Sequence, residues 1–210
     1  MTLFIEYLEK RLKEELPGRN SHLKMAPKIM ERSFRSFEPN ENAKKSAVLV
    51  PISLGKDPQI MFTLRSHLLR SHKGQISFPG GRIETGESPL EAALRETYEE
   101  VGILPENIRI VGALSTLYVP PSNNLIYPFI GLLLDEPKVI INESEVDECF
   151  FVNMSHFIDP GTFLQSRQKL EGYEVDMPYW DVMPKAKLWG ATSMILRELI
   201  DLYEEWVTVS

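Results

Sequence analysis

Cysteine is almost missing from this 210-residue sequence: there is one, Cys149. No intrachain disulfide can form, which excludes the disulfide-stapled class and fits a reducing compartment. Cys149 lies in ECFFV, which reads as strand, so a small core hydrophobe is expected there. Long apolar runs are missing too. The longest, LIYPFIGLLL from Leu125 to Leu134, is too short to cross a bilayer as a helix. Repeats and low-complexity tracts are absent. Positive charge is in deficit, with 23 Lys and Arg against 30 Asp and Glu, a net charge of -7. That argues against a general nucleic-acid or membrane-surface binder. A small anionic ligand at a local basic patch stays open. The opening MTLFIEYLEKRLKEEL has Glu6 and Glu9 inside its apolar part and is not read as a secretory signal. It is also too acidic for a typical organellar transit peptide. The expectation is a cytoplasmic protein with neither nucleic acid nor membrane as partner.

What is present suffices for a real core, since 43% of residues are hydrophobic and 25% charged. Phe4, Tyr7, Leu8, Leu12 and Leu16 are at helical spacing, so a helix is expected over 3–16, ended by Pro17-Gly18. Residues 19–45 read as irregular. Ser46–Leu54 and Pro58–Arg65 read as strands around a Gly-Lys-Asp-Pro turn, a hairpin. GQISFPGG reads as a short strand ending in a turn. IRIVGALSTLYV, NLIYPFIGLLL and ECFFVN are further strand candidates, and Leu188–Trp206 has helical periodicity. Strands mixed with a central and a final helix predict an α/β sandwich with mixed β-sheet.

The acids are most concentrated in one short segment. Ser88 with Glu91 three residues on forms a capping-box pattern, Pro89 suits the first helical position, and Gly102 is a natural stop. The spacing predicts a helix over 89–101 with Leu90, Ala93, Leu94, Thr97 and Val101 on one apolar face. Glu96, Glu99 and Glu100 share a second face at i, i+3, i+4. Like charges at that spacing cost a few tenths of a kcal/mol per pair, so a solvated acidic face is affordable. Two features favour a site instead. The glycines of FPGGRIETGE let the backbone bend toward the carboxylates. Hard oxygen ligands with room for water suit magnesium or manganese holding a phosphate. Without metal the trio repels itself, and the helix is expected to be less stable.

The run Gly81, five residues, Glu87, seven residues, Arg95-Glu96-Thr97, any residue, Glu99-Glu100, any residue, Gly102-Ile103 resembles the signature box of the Nudix hydrolases. Chance agreement is on the order of 10⁻⁷ per window or less at background residue usage. Thr97 stands where the family pattern usually has an aliphatic residue; it is similar in volume to Val. The resemblance implies a Nudix-type α/β/α sandwich carrying the box as loop-helix-loop, and hydrolysis of a nucleoside diphosphate linked to another group. By position it implies Glu96, Glu99 and Glu100 as ligands of Mg2+ or Mn2+, with the Gly80 backbone as a further ligand. One of these carboxylates, or a distant Glu, is the implied base. Arg95 and Glu87 are the implied orienting ion pair. Glu145, in NESEVDECFF, sits where some members place an extra ligand or base; Glu143 and Glu148 are close by, and solvated turn acids are the other reading.

From Pro58 to Ile83 there is no Asp or Glu, while Arg65, Arg70, Lys73 and Arg82 occur with His67 and His72. A basic loop pairing with the acidic helix would explain this bias. The stretch also resembles a narrower pattern, that of Nudix members cleaving coenzyme A. Thr63, Arg65-Ser66, Arg70, Gly74 and Phe78-Pro79-Gly80-Gly81 carry it, with Phe62 in place of an aliphatic residue. LWGATSMIL, Leu188 to Leu196, is similar to the last helix of that subfamily. The implied reaction yields 3′,5′-ADP and 4′-phosphopantetheine. Arg65, Arg70 and Lys73 are the expected phosphate contacts, with Gly81 beside the substrate, since Arg grips phosphate bidentately. Tyr118-Val119-Pro120-Pro121 and the region of Tyr179-Trp180 are candidates for an apolar groove. His67 and His72 stay unassigned, and His22 and His156 have no supporting context. Other substrates stay open: ADP-ribose, a dinucleoside polyphosphate, a sugar nucleotide, a damaged nucleotide. So does a non-catalytic nucleotide sensor. Many relatives pair, so a homodimer is an expectation to test. The resemblance covers about 46–200. The division expected is an N-terminal extension, 1–45, and a hydrolase domain, 46–210.

Overall fold

A computed structural model describes residues 2–29, 38–55, 57–69, 72–134, 138–170 and 173–209. In chain order they form α1 (Thr2–Arg11), α2 (Arg19–Met25), β1 (Lys28–Ile29), β2 (Lys44–Ser53), β3 (Gln59–Arg65), β4 (Ile76–Ser77), β5 (Gly80–Arg82) and α3 (Pro89–Val101). There follow β6 (Ile108–Ala113), β7 (Leu117–Val119), β8 (Asn124–Leu133), β9 (Val146–Asn153), α4 (Met154–Ile158), β10 (Phe163–Leu170), β11 (Tyr173–Met183), β12 (Ala186–Leu188) and α5 (Gly190–Val209).

The large sheet runs β4-β3-β2-β8-β6, with β5 also on β2, β7 on β8 and β9 on β3. It is mixed: β2 and β8 are parallel from Lys44↔Asn124 to Ile52↔Leu132, and the other pairs are antiparallel. Alternation along β2 sends side chains to opposite faces. Ala47 and Leu49 pack with Ala92, Ala93 and Val101 of α3. Val50 and Ile52 join Phe4 and Leu8 of α1 and Leu199 and Leu202 of α5. Helices therefore cover both faces, as the α/β sandwich expectation required. Cys149 pairs with Thr63 across β9 and β3 and packs beside the α3 cluster. Burial pushes its thiol up to about 12, so it behaves as a hydrophobe.

Several boundaries differ from the sequence reading. The first helix stops at Arg11, with Leu12, Leu16, Pro17 and Gly18 following as connecting chain. The segment read as irregular contains α2 and β1, and Met25 is fully buried. The β2–β3 hairpin is paired only at Ile52↔Ile60 and Ser53↔Gln59, because β2 then turns to β5 and β8. IRIVGALSTLYV divides into β6 and β7, both on β8. The final helix begins at Gly190; Leu188 belongs to β12. The β10–β11 hairpin, antiparallel from Phe163↔Trp180 onward, had no sequence expectation. With β1 and β12 it makes a second sheet.

The N-terminal helices lie against α5. Phe4 meets Tyr203 and Trp206 with ring centroids 5.1 Å apart in each pair. Tyr7 and Arg11 both bond Glu205. In α2, Ser21 and Lys24 bond Asp201, which also holds Arg197. Among the described residues no helix is long and apolar enough to cross a membrane.

Candidate active site

The acidic helix starts and stops as its sequence dictates. The Ser88 hydroxyl accepts from the Glu91 N–H at 3.3 Å, and the Glu91 carboxylate accepts from the Ser88 N–H at 2.8 Å. Gly102 takes the left-handed conformation, φ 71°, and donates to the Tyr98 carbonyl. In front of the helix, the strand GQISFPGG changes partner at Phe78-Pro79. Ile76–Ser77 pairs with β3, whereas Gly80 and Gly81 pair with Val48 and Ala47 of β2. That crossing places the double glycine beside α3.

Arg95 organises the box. Its Nε and Nη2 grip Glu87 at 2.8 and 3.1 Å, and Nη1 reaches Glu96 at 2.9 Å and Glu99 at 3.1 Å. Nη2 also donates to the Arg82 carbonyl at 3.1 Å. The hydrogen bonds from Arg95 hold Glu87 below the ordinary carboxylate range. The expected ion pair is thus present, and it extends to two of the three box carboxylates.

Glu100 departs from the face expected for it beside the buried one. It is itself 2% exposed, on the buried side with Ala93, Thr97 and Val101, while Glu99 is exposed. Its contacts are long: Arg65 Nη1 at 3.6 Å and the Gly80 N–H at 3.4 Å. Burial pushes its carboxyl up to about 8; Arg65 opposes this, and Glu96 and Glu145 add to it. Burial also raises Glu96, with Glu99 and Glu145 adding to the effect against Arg95. Leu90 and Leu94 are only half-buried, and Ala92 takes part in the buried face instead.

Glu145 joins this field from another element. The Ile140 and Asn142 N–H groups donate to the Val101 and Glu100 carbonyls, and the Ser66 N–H donates to the Glu145 carbonyl at 2.8 Å. These bonds fasten the segment before β9 to the end of α3. Of its neighbours, Glu148 pairs with Lys185 and Glu143 is exposed. Glu145 alone of the three acts electrostatically on both Glu96 and Glu100.

Among the described residues, no three His, Cys, Asp or Glu side chains are drawn together as a finished metal cluster. Arg95 bonds Glu96 and Glu99, and Glu100 lies 3.6 Å from Arg65. The donor set nevertheless suits a hard divalent cation. Glu100 is a buried carboxylate with no short partner. At Gly81 a Cβ would lie 2.4 Å from the Glu96 carboxyl carbon, so the space over that glycine belongs to a carboxylate. Glu96, Glu99, Glu100 and the Gly80 backbone fit the expected Mg2+ or Mn2+.

Beside the box opens a cavity of about 1470 Å³. Arg65, Gly80, Gly81 and Arg82 line it, as do Tyr118, Val119, Pro120 and Pro121. The second expected groove region is not part of it. Trp180 is fully buried, 5.3 Å from Phe157 and 6.2 Å from Phe163 by ring centroid, and Tyr179 lies under Lys187. Of the expected phosphate contacts, Arg65 lines the cavity and its Nε is buried without a hydrogen-bond partner. Lys73 is exposed and is not among the lining residues. Arg70 lies outside the described residues. His67 sits 3.6 Å from Asp147, and His72 bonds Gln75. Sequence reasoning passed over His22, which lines the cavity. No motif marked it; only its place on an unexpected helix does.

Residues 43–170 match the model of the NUDIX domain. The chain belongs to the Nudix family. It is 33% identical over 171 residues to an uncharacterized Nudix hydrolase, NudL, of Pectobacterium atrosepticum, covering 78% of this chain and 85% of that one. It is 30% identical over 173 residues to Nudix hydrolase 3 of Caenorhabditis elegans, covering 74% and 72%. A MutT/nudix family protein from Enterococcus faecalis has the same fold, with a TM-score of 0.54 over 83% of this chain and 66% of that one, at 17% identity. This Nudix chain is a hydrolase acting on the diphosphate bond of a nucleoside diphosphate derivative. Nudix hydrolases generally use divalent cations such as Mg2+ or Mn2+.

Proposed function

We propose that the protein is a coenzyme A diphosphatase, cleaving coenzyme A or a derivative to 3′,5′-ADP and 4′-phosphopantetheine. The observation that carries this reading is the position of Arg65. It belongs to the Thr63, Arg65-Ser66, Arg70, Gly74, Phe78-Pro79-Gly80-Gly81 pattern of the sequence. It stands between the buried carboxylate Glu100 and the cavity, with Nε unpartnered. A guanidinium so placed is suited to a phosphate oxygen. The cavity supplies length and apolar surface for the rest of the molecule.

Glu96, Glu99, Glu100 and the Gly80 backbone would hold the cation, and Arg95 with Glu87 keeps Glu96 and Glu99 in place. The bound ion would supply neutralisation of the diphosphate and a lowered pKa for water. Glu145 is assigned as the base, because its carboxylate makes no hydrogen bond among the described residues. It takes the proton of the attacking water as a new P–O bond forms; the bridging P–O bond breaks and its electrons stay on the departing phosphate oxygen. Arg65 steadies the charge on the non-bridging oxygens.

The test is a substrate panel with magnesium or manganese: coenzyme A, dephospho-coenzyme A, ADP-ribose, a dinucleoside polyphosphate and a sugar nucleotide. Release of 4′-phosphopantetheine, with coenzyme A preferred, is expected. Cleavage of another member alone would transfer the chain to that activity. Binding with no turnover of any member would make it a sensor.

A further inference from the structure

Part of the cavity wall comes from chain that the family match does not cover. The match begins at residue 43, while His22, Leu23 and Pro27, on and just after α2, line the same cavity as Gly80 and Gly81. This wall is fixed in place. Asp201 of α5 holds it through Ser21 and Lys24. Glu198 of the same helix holds its start through the Gly18 N–H.

His22 stands in the wall, only 4% exposed. Its Nε2 lies 3.3 Å from Glu198 Oε2, off the line of a good hydrogen bond, and is buried without another partner. Glu198 is fully buried and accepts from the Gly18 N–H at 3.0 Å, the Ser115 N–H at 3.0 Å and the Ser115 hydroxyl at 2.6 Å. Burial pushes the Glu198 carboxyl up, but the His22 ring beside it and the hydrogen bonds from Ser115 outweigh it and keep it below the ordinary range. A carboxylate facing Nε2 favours the ring proton on that nitrogen. Nδ1 is then the ring's free acceptor. Polar groups in a buried wall are costly unless something bonds them. The cavity that His22 faces is lined by apolar Leu23, Pro27, Val48, Ile126 and Met194 together with the polar Arg19, Lys28, Thr116 and Tyr118.

We propose that His22, oriented by Glu198, is a specificity residue that accepts a hydrogen bond from an amide N–H of the substrate's non-nucleotide arm, with Leu23 and Pro27 giving that arm its apolar contact. The proposal rests on the reading above that the arm is pantetheine. An apolar chain interrupted by a few amides matches a lining in which polar groups such as His22 alternate with apolar ones such as Leu23, Pro27 and Met194. The wall is continuous with the diphosphate end of the cavity through Val48, which pairs with Gly80.

The experiment is calorimetric binding of 4′-phosphopantetheine, 3′,5′-ADP and inorganic phosphate, with magnesium present, to the full chain and to two variants, His22→Ala and Leu23→Glu. Leu23 is 40% exposed, so its variant tests the wall even if His22→Ala fails to fold. Both variants are expected to weaken 4′-phosphopantetheine about tenfold or more and to leave 3′,5′-ADP and phosphate within twofold. No binding of 4′-phosphopantetheine by the wild type, or equal binding by the variants, overturns the proposal. So does a loss confined to 3′,5′-ADP, which would put the nucleoside at this wall. The turnover panel judges the functional reading separately: coenzyme A can be cleaved while this wall proves idle.

Discussion

The Glu96 carboxylate occupies the place where a side chain on Gly81 would project. A Cβ there would come within 2.5 Å of both carboxylate oxygens. The neighbouring Gly80 is crowded differently: its Cβ would meet the Ala47 carbonyl at 2.4 Å and Val48 Cα at 2.6 Å, and its φ is +152°.

These two glycines should therefore fail in different ways. Gly81→Ala displaces only the end of a flexible side chain, so it is expected to fold with a melting temperature near wild type and lose at least about tenfold in kcat. Gly80→Ala presses on backbone within the β2–β5 pairing. It is expected to lose stability by about 2 kcal/mol or more, in the range of backbone strain and overpacking. Thermal melts with steady-state rates on the two proteins check the split.

Glu100 links the site to pH. Its carboxyl stands at about 8 in the fold against an ordinary 4.5, raised by burial. A raised acid contributes stability that is fully present below the ordinary value and is lost as pH climbs through the raised one. The metal-free protein should thus melt at progressively lower temperature from about pH 5 to pH 8. Glu198 and Asp201, held low by their partners against burial, act in the opposite sense and below this window. Glu100→Gln is expected to flatten the slope, to raise the melting temperature at pH 8, and to lower turnover by orders of magnitude. Added magnesium should stabilise the wild type more strongly at pH 8 than at pH 6, because a cation displaces the proton.

Arg95 serves Glu87, Glu96 and Glu99 with one guanidinium. A lysine has no fork and can satisfy at most part of that set. Arg95→Lys is expected to reduce kcat/KM about tenfold to a hundredfold and to cost about 1–2 kcal/mol of stability. A manganese titration should show weaker binding in the same variant.

For Glu145→Gln, kcat should fall at least about a hundredfold while the manganese dissociation constant stays within threefold, the signature of a lost base. Unchanged kcat would return that role to the box carboxylates.

The box was legible in the sequence because its signals are local. Ser88, Pro89, Glu91 and Gly102 fix the helix ends through contacts a few residues apart. The alternation in β2 likewise shows in its own residues. The burial of Glu100 was not legible, because it depends on Arg65 and the Gly80 turn arriving from elsewhere. The β10–β11 hairpin escaped because FLQSRQKL is polar and mostly exposed, so no apolar period marks it. Helix α2 escaped because it is seven residues long and its Gly18 cap makes no side-chain bond. Tertiary acids on α5, not local propensity, hold it.

The docking of α1 and α2 on α5 has a consequence for biosynthesis. On the ribosome the segments holding Phe4, Leu8 and Met25 emerge long before Leu199, Leu202 and Tyr203, their eventual cover. The part of their surface that α5 covers stays open throughout translation of the sheet, so the nascent chain must keep it from other hydrophobic surfaces until the last helix arrives.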